Sequence, residues 1–197
     1  MKKTILFLIA LFSFVFGFSQ EKPEGLFINS KAYDFKAMDQ KGKEISLKDL
    51  RKKGNIVVLF YRGYWCPYCN RELKRFNDSL SLITAKGAQL IAITPEGKEG
   101  IDSTVARTGA TFSIISDKDM SIAQKYAVSF KVDDRTVGRY KNAGIDLLKV
   151  NGQKEASLPI PAVYIINKDG AVTFRFFNED YKKRISVKEI LDNIKQD

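Results

Sequence analysis

The chain alternates between short, almost wholly apolar runs and longer stretches in which apolar residues recur every three or four positions. Ile56-Val57-Val58-Leu59-Phe60-Tyr61, Gln89-Leu90-Ile91-Ala92-Ile93-Thr94 and Phe112-Ser113-Ile114-Ile115 are runs of the first kind. Continuous β-prone runs of this length mark strands buried on both faces of a sheet. A fourth run, Ile160-Pro161-Ala162-Val163-Tyr164-Ile165-Ile166, carries a proline at its head, where the ladder has not yet begun. Between the first two runs, Cys69, Leu73, Phe76, Leu80 and Ile83 recur at steps of four and three, one face of a helix. Weaker periodicity predicts a helix from Glu96 to Arg107, and another through Met120, Ile122, Ala123, Tyr126 and Ala127, opened by Asp117 or Asp119. Ser186 is placed to cap a last helix with Val187, Ile190, Leu191 and Ile194 on its buried side, and Ser46 to cap a short one through Leu50. Turn residues from Asp39 to Lys43 and from Asn167 to Gly170 each join two β-prone segments into a hairpin.

Strands alternating with helices predict an α/β sheet with crossover connections. Residues 128–158 are the least legible part. Asp133 to Ala143 reads as helical with Gly144 as its C-terminal cap, but the stretch is long and polar. The expectation is a surface elaboration; the alternative is a lid that shapes access to the cysteines.

Charge and composition narrow the class. The 197 residues include 33 Lys and Arg against 23 Asp and Glu, a net charge of +10, and no histidine. The basic residues are scattered on polar stretches such as Arg51-Lys52-Lys53 and Lys182-Lys183-Arg184, a solvated surface rather than a nucleic-acid site. A basic start, Met1-Lys2-Lys3-Thr4, precedes fourteen residues from Ile5 to Phe18 that are apolar but for Ser13 and Gly17. A bilayer span wants ~20 such residues, so this is the core of a signal peptide. Gly17 and Ser19 suit a cleavage site, so residues 1–19 are expected to be removed and 20–197 to form a single domain. The expected location is therefore exported: periplasm, cell envelope or medium, with no stable membrane span. No cysteine follows the apolar core, which argues against a lipid anchor.

The candidate chemistry is the pair Cys66 and Cys69, the two cysteines of the chain. They fall where the first apolar run meets the helix, in Phe60-Tyr61-Arg62-Gly63-Tyr64-Trp65-Cys66-Pro67-Tyr68-Cys69. Pro67 suits a first helical position, which puts Cys66 at the N-cap and Cys69 one turn in, on the buried stripe. Orphan N–H groups and the positive end of the helix dipole favour a thiolate at Cys66. Burial keeps Cys69 a thiol. Residues three apart on a helix sit at ~5–6 Å between Cβ atoms, so a small adjustment closes or reopens a disulfide. A static disulfide would close too small a loop to stabilise much. A zinc site lacks further ligands, since there is no histidine and no second cysteine pair. A cysteine pair on a redox-dead scaffold is the third bland reading.

The strand–Trp-Cys-Pro-Tyr-Cys–helix passage resembles the thioredoxin superfamily. Its wider context, through Asn70-Arg71-Glu72-Leu73, is similar to peroxiredoxin-like proteins of the alkyl-hydroperoxide-reductase/thiol-specific-antioxidant family. The resemblance covers roughly residues 26–195. It implies a thioredoxin-like fold: a central mixed sheet flanked by helices, with an N-terminal hairpin and an insertion before a strand headed by cis-Pro161. It also implies a thiol–disulfide oxidoreductase with Cys66 and Cys69 as the catalytic redox pair. Trp65, Ile160 and Pro161 would form the substrate-binding face, Ile160 pairing through its backbone with an incoming peptide strand. No metal or organic cofactor is implied; the partners are protein thiols or disulfides and a redox partner protein, not nucleic acid. Peroxide is the alternative substrate, with Cys69 or Cys66 attacking it, and a non-catalytic peptide-binding module is the second alternative.

The departures from the family pattern bear on mechanism. Cys69 stands where peroxiredoxins carry the peroxide-attacking cysteine, Arg62 where they carry proline and Cys66 where they carry threonine or serine. Pro161 falls near their usual arginine, so the hydroxyl and the guanidinium that polarise a bound peroxide are both missing from their expected positions. The acid that thioredoxins carry six residues before the first cysteine is absent, and Phe60 is there. The proton acceptor for Cys69 is then water, Glu72 or another carboxylate brought near by folding.

The expected mature protein begins near Gln20 and is recovered outside the cytoplasm. Intact-mass analysis of the envelope fraction checks this, and a product retaining residues 1–19 would overturn it.

Overall fold

The computed structural model describes residues 22–195. Strands β1 (Lys36–Met38) and β2 (Glu44–Ser46) form the first expected hairpin, paired Lys36 to Ser46 and Met38 to Glu44. The Asp39 carboxylate accepts from the Lys41 and Lys43 N–H groups at 2.9 Å and fixes the turn. Helix α1 (Leu47–Arg51) follows, with the Ser46 hydroxyl accepting from the Asp49 N–H as its cap. Then come β3 (Asn55–Phe60), α2 (Pro67–Asp78), α3 (Leu80–Ala85), β4 (Ala88–Thr94), α4 (Lys98–Thr108), β5 (Ser113–Ser116) and α5 (Ser121–Lys125). The 128–158 segment contributes β6 (Ser129–Lys131), α6 (Asp134–Asn142), α7 (Leu147–Asn151) and β7 (Ser157–Pro159). The chain ends with β8 (Ala162–Ile166), β9 (Val172–Phe177) and α8 (Val187–Asn193).

The central sheet has the order β5-β4-β3-β8-β9, parallel from β3 to β5 and antiparallel from β3 through β9. It is mixed, and helices pack on both faces, as the sequence pattern implies. Every residue of β3 is buried, and alternate residues feed different cores. Val57, Leu59 and Tyr61 join Leu73, Phe76, Ile101 and Ile190 on one face; Ile56, Val58 and Phe60 join Leu47, Ile122 and Ala123 on the other. Each such aliphatic side chain removed from water contributes ~1.5–3 kcal/mol, so this strand anchors both layers.

One expectation changes. The periodic face from Cys69 to Ile83 is not one helix, because Ser79 leaves helical geometry (φ −109°, ψ 12°) and divides it into α2 and α3. Both halves still present Leu73, Phe76 and Ile83 to the same core, which is why a single periodicity ran through the break. Asp117 acts where expected: its carboxylate accepts from the Ile122 and Ala123 N–H groups and holds the start of α5. Ser186 and Glu189 form a reciprocal capping box on α8.

The order of the strands decides where chemistry happens. The chain leaves β3 for β4 and β5 on one side and returns to β8 on the other, so the carboxyl end of β3 lies at the point where the order reverses. The Tyr61–Trp65 loop and Cys66 emerge there.

Gly54 enters β3 at φ +152°, and a Cβ there would run into the Gly87 carbonyl oxygen. Gly54→Ala is expected to destabilise the protein by about 2 kcal/mol or more, read by urea unfolding, without altering the thiol titration described below.

Candidate functional site

Cys66 is the N-cap of α2 (φ −91°, ψ 108°), and its sulfur accepts from the Cys69 N–H at 3.4 Å. Pro67 is the first helical residue, as expected, and Cys69 is completely buried. The preceding loop is held by a carboxylate from the next strand end. Glu96, fully buried, accepts from the Tyr64 N–H at 2.7 Å, from Thr104 Oγ1 at 3.1 Å and from Thr94 Oγ1 at 3.3 Å. Asn70 Nδ2 in turn donates to the Tyr64 carbonyl at 2.7 Å, so helix and loop are tied to each other. Gly63 has no substitute here: its φ is +151°, and a Cβ would lie 2.5 Å from Trp65 Nε1.

The two sulfurs are free thiols in unlike electrostatic settings. The Cys66 thiol is brought down to about 6 by the hydrogen bond from the Cys69 thiol. The Cys69 N–H and the Arg62 and Arg184 guanidiniums add to this, and burial opposes it. Cys69 is pushed well above an ordinary thiol by burial, and the Cys66 sulfur raises it further. Arg184 Nη2 lies 3.6 Å from the Cys69 sulfur, and Arg184 Nε lies 2.9 Å from Glu72 Oε2. Glu72, one turn after Cys69 and 2 % exposed, is pushed up to about 7 because burial outweighs the opposite charge of Arg184. A carboxyl raised toward neutral pH is therefore joined to Cys69 through the Arg184 guanidinium, which reaches both.

Arg184 corrects one expectation and adds to another. The Lys182-Lys183-Arg184 stretch is not uniformly solvated surface, since the Arg184 side chain is only 7 % exposed. The guanidinium is missing from the position of Pro161, as expected, but another reaches Cys69 from the segment before α8. No local signal could have revealed this, because residues 69 and 184 meet only through packing of the segment before α8.

The expected substrate face is arranged differently. Trp65 packs edge-on to Tyr140 of α6, with ring centroids 5.1 Å apart. Ile160 and Pro161 are buried. Among the described residues no peptide bond is cis, so the bond before Pro161 is trans, contrary to expectation. The chain runs extended from β7 into β8 through this proline, a path that the trans form follows at its ordinary preference. The Ile160 N–H does not await a peptide either: it donates to the Val128 carbonyl at 2.8 Å, beside the antiparallel β6–β7 pair. The 128–158 segment thus pairs with the chain's own approach to β8. It is also more than a surface elaboration, because its α6 delivers Tyr140 to Trp65 and Arg62. Among the described residues no group of three or more His, Cys, Asp or Glu side chains is placed to hold a metal ion.

The profile of the AhpC/TSA family matches residues 28–175. The thiol-disulfide oxidoreductase ResA of Bacillus thuringiensis (strain Al Hakam) is 27% identical over 170 residues, covering 86% of this chain and 80% of that protein. The peroxiredoxin bcp of Helicobacter pylori (strain J99) is 25% identical over 171 residues, covering 87% of this chain and 99% of that one. Among solved structures, peroxidoxin BcpB from Mycobacterium tuberculosis superimposes with a TM-score of 0.66 at 16% identity, over 85% of this chain and 95% of that one. That likeness shows the thioredoxin-like fold.

Absorbance at 240 nm should show one thiolate forming with a midpoint near pH 6 in the reduced protein and none in that range in Cys66→Ser. Since the folded-state value is below that of an unfolded thiol, reduced-state stability from this group grows as pH rises from about 6 toward 9. It is lost again as pH falls through 6.

Proposed function

The chain belongs to the AhpC/TSA family, and we propose that within it this protein is an exported thiol–disulfide oxidoreductase acting through Cys66 and Cys69. The observation that carries the reading is the polarity of the pair. One sulfur is at a helix N-cap and held as a thiolate near neutral pH; the other is fully buried and held as a thiol. Exchange needs that division between an attacking and a resolving sulfur. The ResA relatives carry the same activity in their name, and the apolar leader at residues 5–18 supports export.

In the oxidising direction on the enzyme, the Cys66 thiolate attacks a substrate disulfide. One substrate sulfur leaves as a thiolate and takes a proton from solvent, and a mixed disulfide joins Cys66 to the other. The Cys69 thiol then passes its proton to Glu72, whose carboxyl titrates near neutrality, and Arg184 stabilises the thiolate as it forms. Cys69 attacks the Cys66 sulfur, the second substrate thiolate is released, and the enzyme is left with the Cys66–Cys69 disulfide. The reverse sequence oxidises a substrate dithiol. Cys66 is 2 % exposed, so side chains packed around it must move before a partner reaches the sulfur.

A second reading, a thiol peroxidase, has one specific observation behind it: the Arg184 guanidinium beside Cys69, the position that aligns with the peroxide-attacking cysteine. Against it, burial keeps Cys69 a thiol, and a thiol is a poor nucleophile toward peroxide.

Cys69→Ser is expected to accumulate mixed disulfides with protein substrates, trapped by acid quench and seen on non-reducing gels. Cys66→Ser should trap none and reduce insulin disulfides at under about 1% of the wild-type rate, a loss of ~2.7 kcal/mol or more in transition-state stabilisation. If Cys66→Ser instead forms a sulfenic acid rapidly with hydrogen peroxide, Cys69 is the working sulfur and the peroxidase reading replaces this one.

A further inference from the structure

The cysteine pair is flanked by a second set of cations, exposed ones that take no part in the exchange steps. Tyr64 stands two residues before Cys66 and Tyr68 two after it; both are half-buried, and Pro67 between them is exposed. Each tyrosine carries an arginine. The Arg107 guanidinium, from the last turn of α4, lies 5.5 Å from the Tyr64 ring centroid. The Arg71 guanidinium, from α2 itself, lies 4.7 Å from the Tyr68 centroid. Both arginines are exposed, and among the described residues no carboxylate pairs with either. Arg75, also exposed, continues the Arg71 face one turn further along α2. The Tyr68 ring also meets Tyr181 edge-on at 5.8 Å, and the exposed Lys182 and Lys183 follow Tyr181. The acids of these segments are already engaged. Asp78 is held by Lys74 at 3.0 Å, Glu179 by Lys22 at 2.7 Å and Asp180 by the Lys182 N–H at 3.0 Å.

Positive charge without a counter-ion thus stands on the residues that frame Cys66. A guanidinium lying over a ring keeps its N–H edges for another acceptor, and the contact holds the fork in place beforehand. The acceptor that matches such a fork is a carboxylate. Resting on the oxidoreductase reading above, we propose that the substrates are proteins whose reacting cysteine is flanked by acidic residues. Arg71 and Arg107 receive those residues and so determine specificity. The two arginines belong to different helices, and Cys66 lies between their tyrosines in the chain. That arrangement suits an acidic peptide segment passing the sulfur better than a single small anion. Opposite charge also steers the encounter, an effect that added salt weakens. The arginines act on docking and leave the order of bond making and breaking at Cys66 and Cys69 as it is.

The test mixes reduced, full-length mature protein with disulfide-linked peptides that differ only beside their cysteines, where they carry Glu, Gln or Lys. Exchange is stopped with acid and followed by alkylation and mass. Each rate is divided by that of the same peptide with β-mercaptoethanol, which removes differences in intrinsic reactivity. Wild type is expected to prefer the Glu peptide over the Lys peptide by about tenfold or more at low salt, and by about twofold in ~0.5 M NaCl. The double variant Arg71→Gln, Arg107→Gln should bring the low-salt ratio within about threefold of unity. Arg71→Glu with Arg107→Glu should invert it in favour of the Lys peptide, an outcome that a folding failure cannot produce. Equal normalised rates for the Glu and Lys peptides in wild type, or a preference that survives both double variants, overturns the docking role. Failure of wild type to exchange with any of the three peptides would instead overturn the oxidoreductase reading.

Discussion

At the start of α2 a sulfur stands where a capping oxygen is usual. Cys66 Sγ accepts the Cys69 N–H, and the Cys69 thiol donates to the same atom. Capping a helix and stabilising a thiolate are here one interaction, because an N-cap is a site of unpaired N–H donors and positive potential. Oxidation to a disulfide removes the negative charge from that cap. The redox state of the pair is therefore coupled to the local structure of the first turn, and everything around the turn is arranged to keep it in place.

Three charged side chains do that arranging, each from a different part of the chain. Glu96 reaches from the end of β4 to the Tyr64 N–H and fixes the loop before Cys66. Arg184, from the segment before α8, bridges Glu72 and Cys69. Arg62 lies under the rings of Trp65, Tyr140 and Tyr181. Buried charges are costly and persist where each has a partner or a chemical use. Glu96 faces a backbone N–H, Arg184 faces Glu72 and the Cys69 sulfur, and Arg62 faces aromatic rings and the Tyr140 hydroxyl.

The 128–158 segment takes on meaning in this setting. Its β6 and β7 pair with each other, and Val128 accepts the Ile160 N–H beside them. Its small apolar cluster of Val132, Leu147, Ala156 and Leu158 packs against Trp65 and Tyr140. The segment thus links the approach to β8 with the loop that carries the cysteines.

Local patterns in the sequence were enough for what depends on neighbours along the chain. The buried runs predicted β3, β4, β5 and β8; Pro67 and the three-residue spacing put Cys66 at a cap and Cys69 on the buried stripe; serines marked the caps of α1 and α8. From these alone the unequal setting of the two sulfurs could be read. The division of the long periodic face at Ser79, the trans bond before Pro161 and the occupied Ile160 N–H could not be. Nor could the approach of Arg184 to Cys69 across 115 residues. Each of these is settled by how distant segments pack. A charge 115 residues away is invisible to periodicity, and the sheet order alone brings the end of β3, the end of β4 and the start of β8 to one edge. The sequence determined which sulfur is at the helix end, and the tertiary structure decided which charges surround it, because electrostatics acts through space and not along the chain.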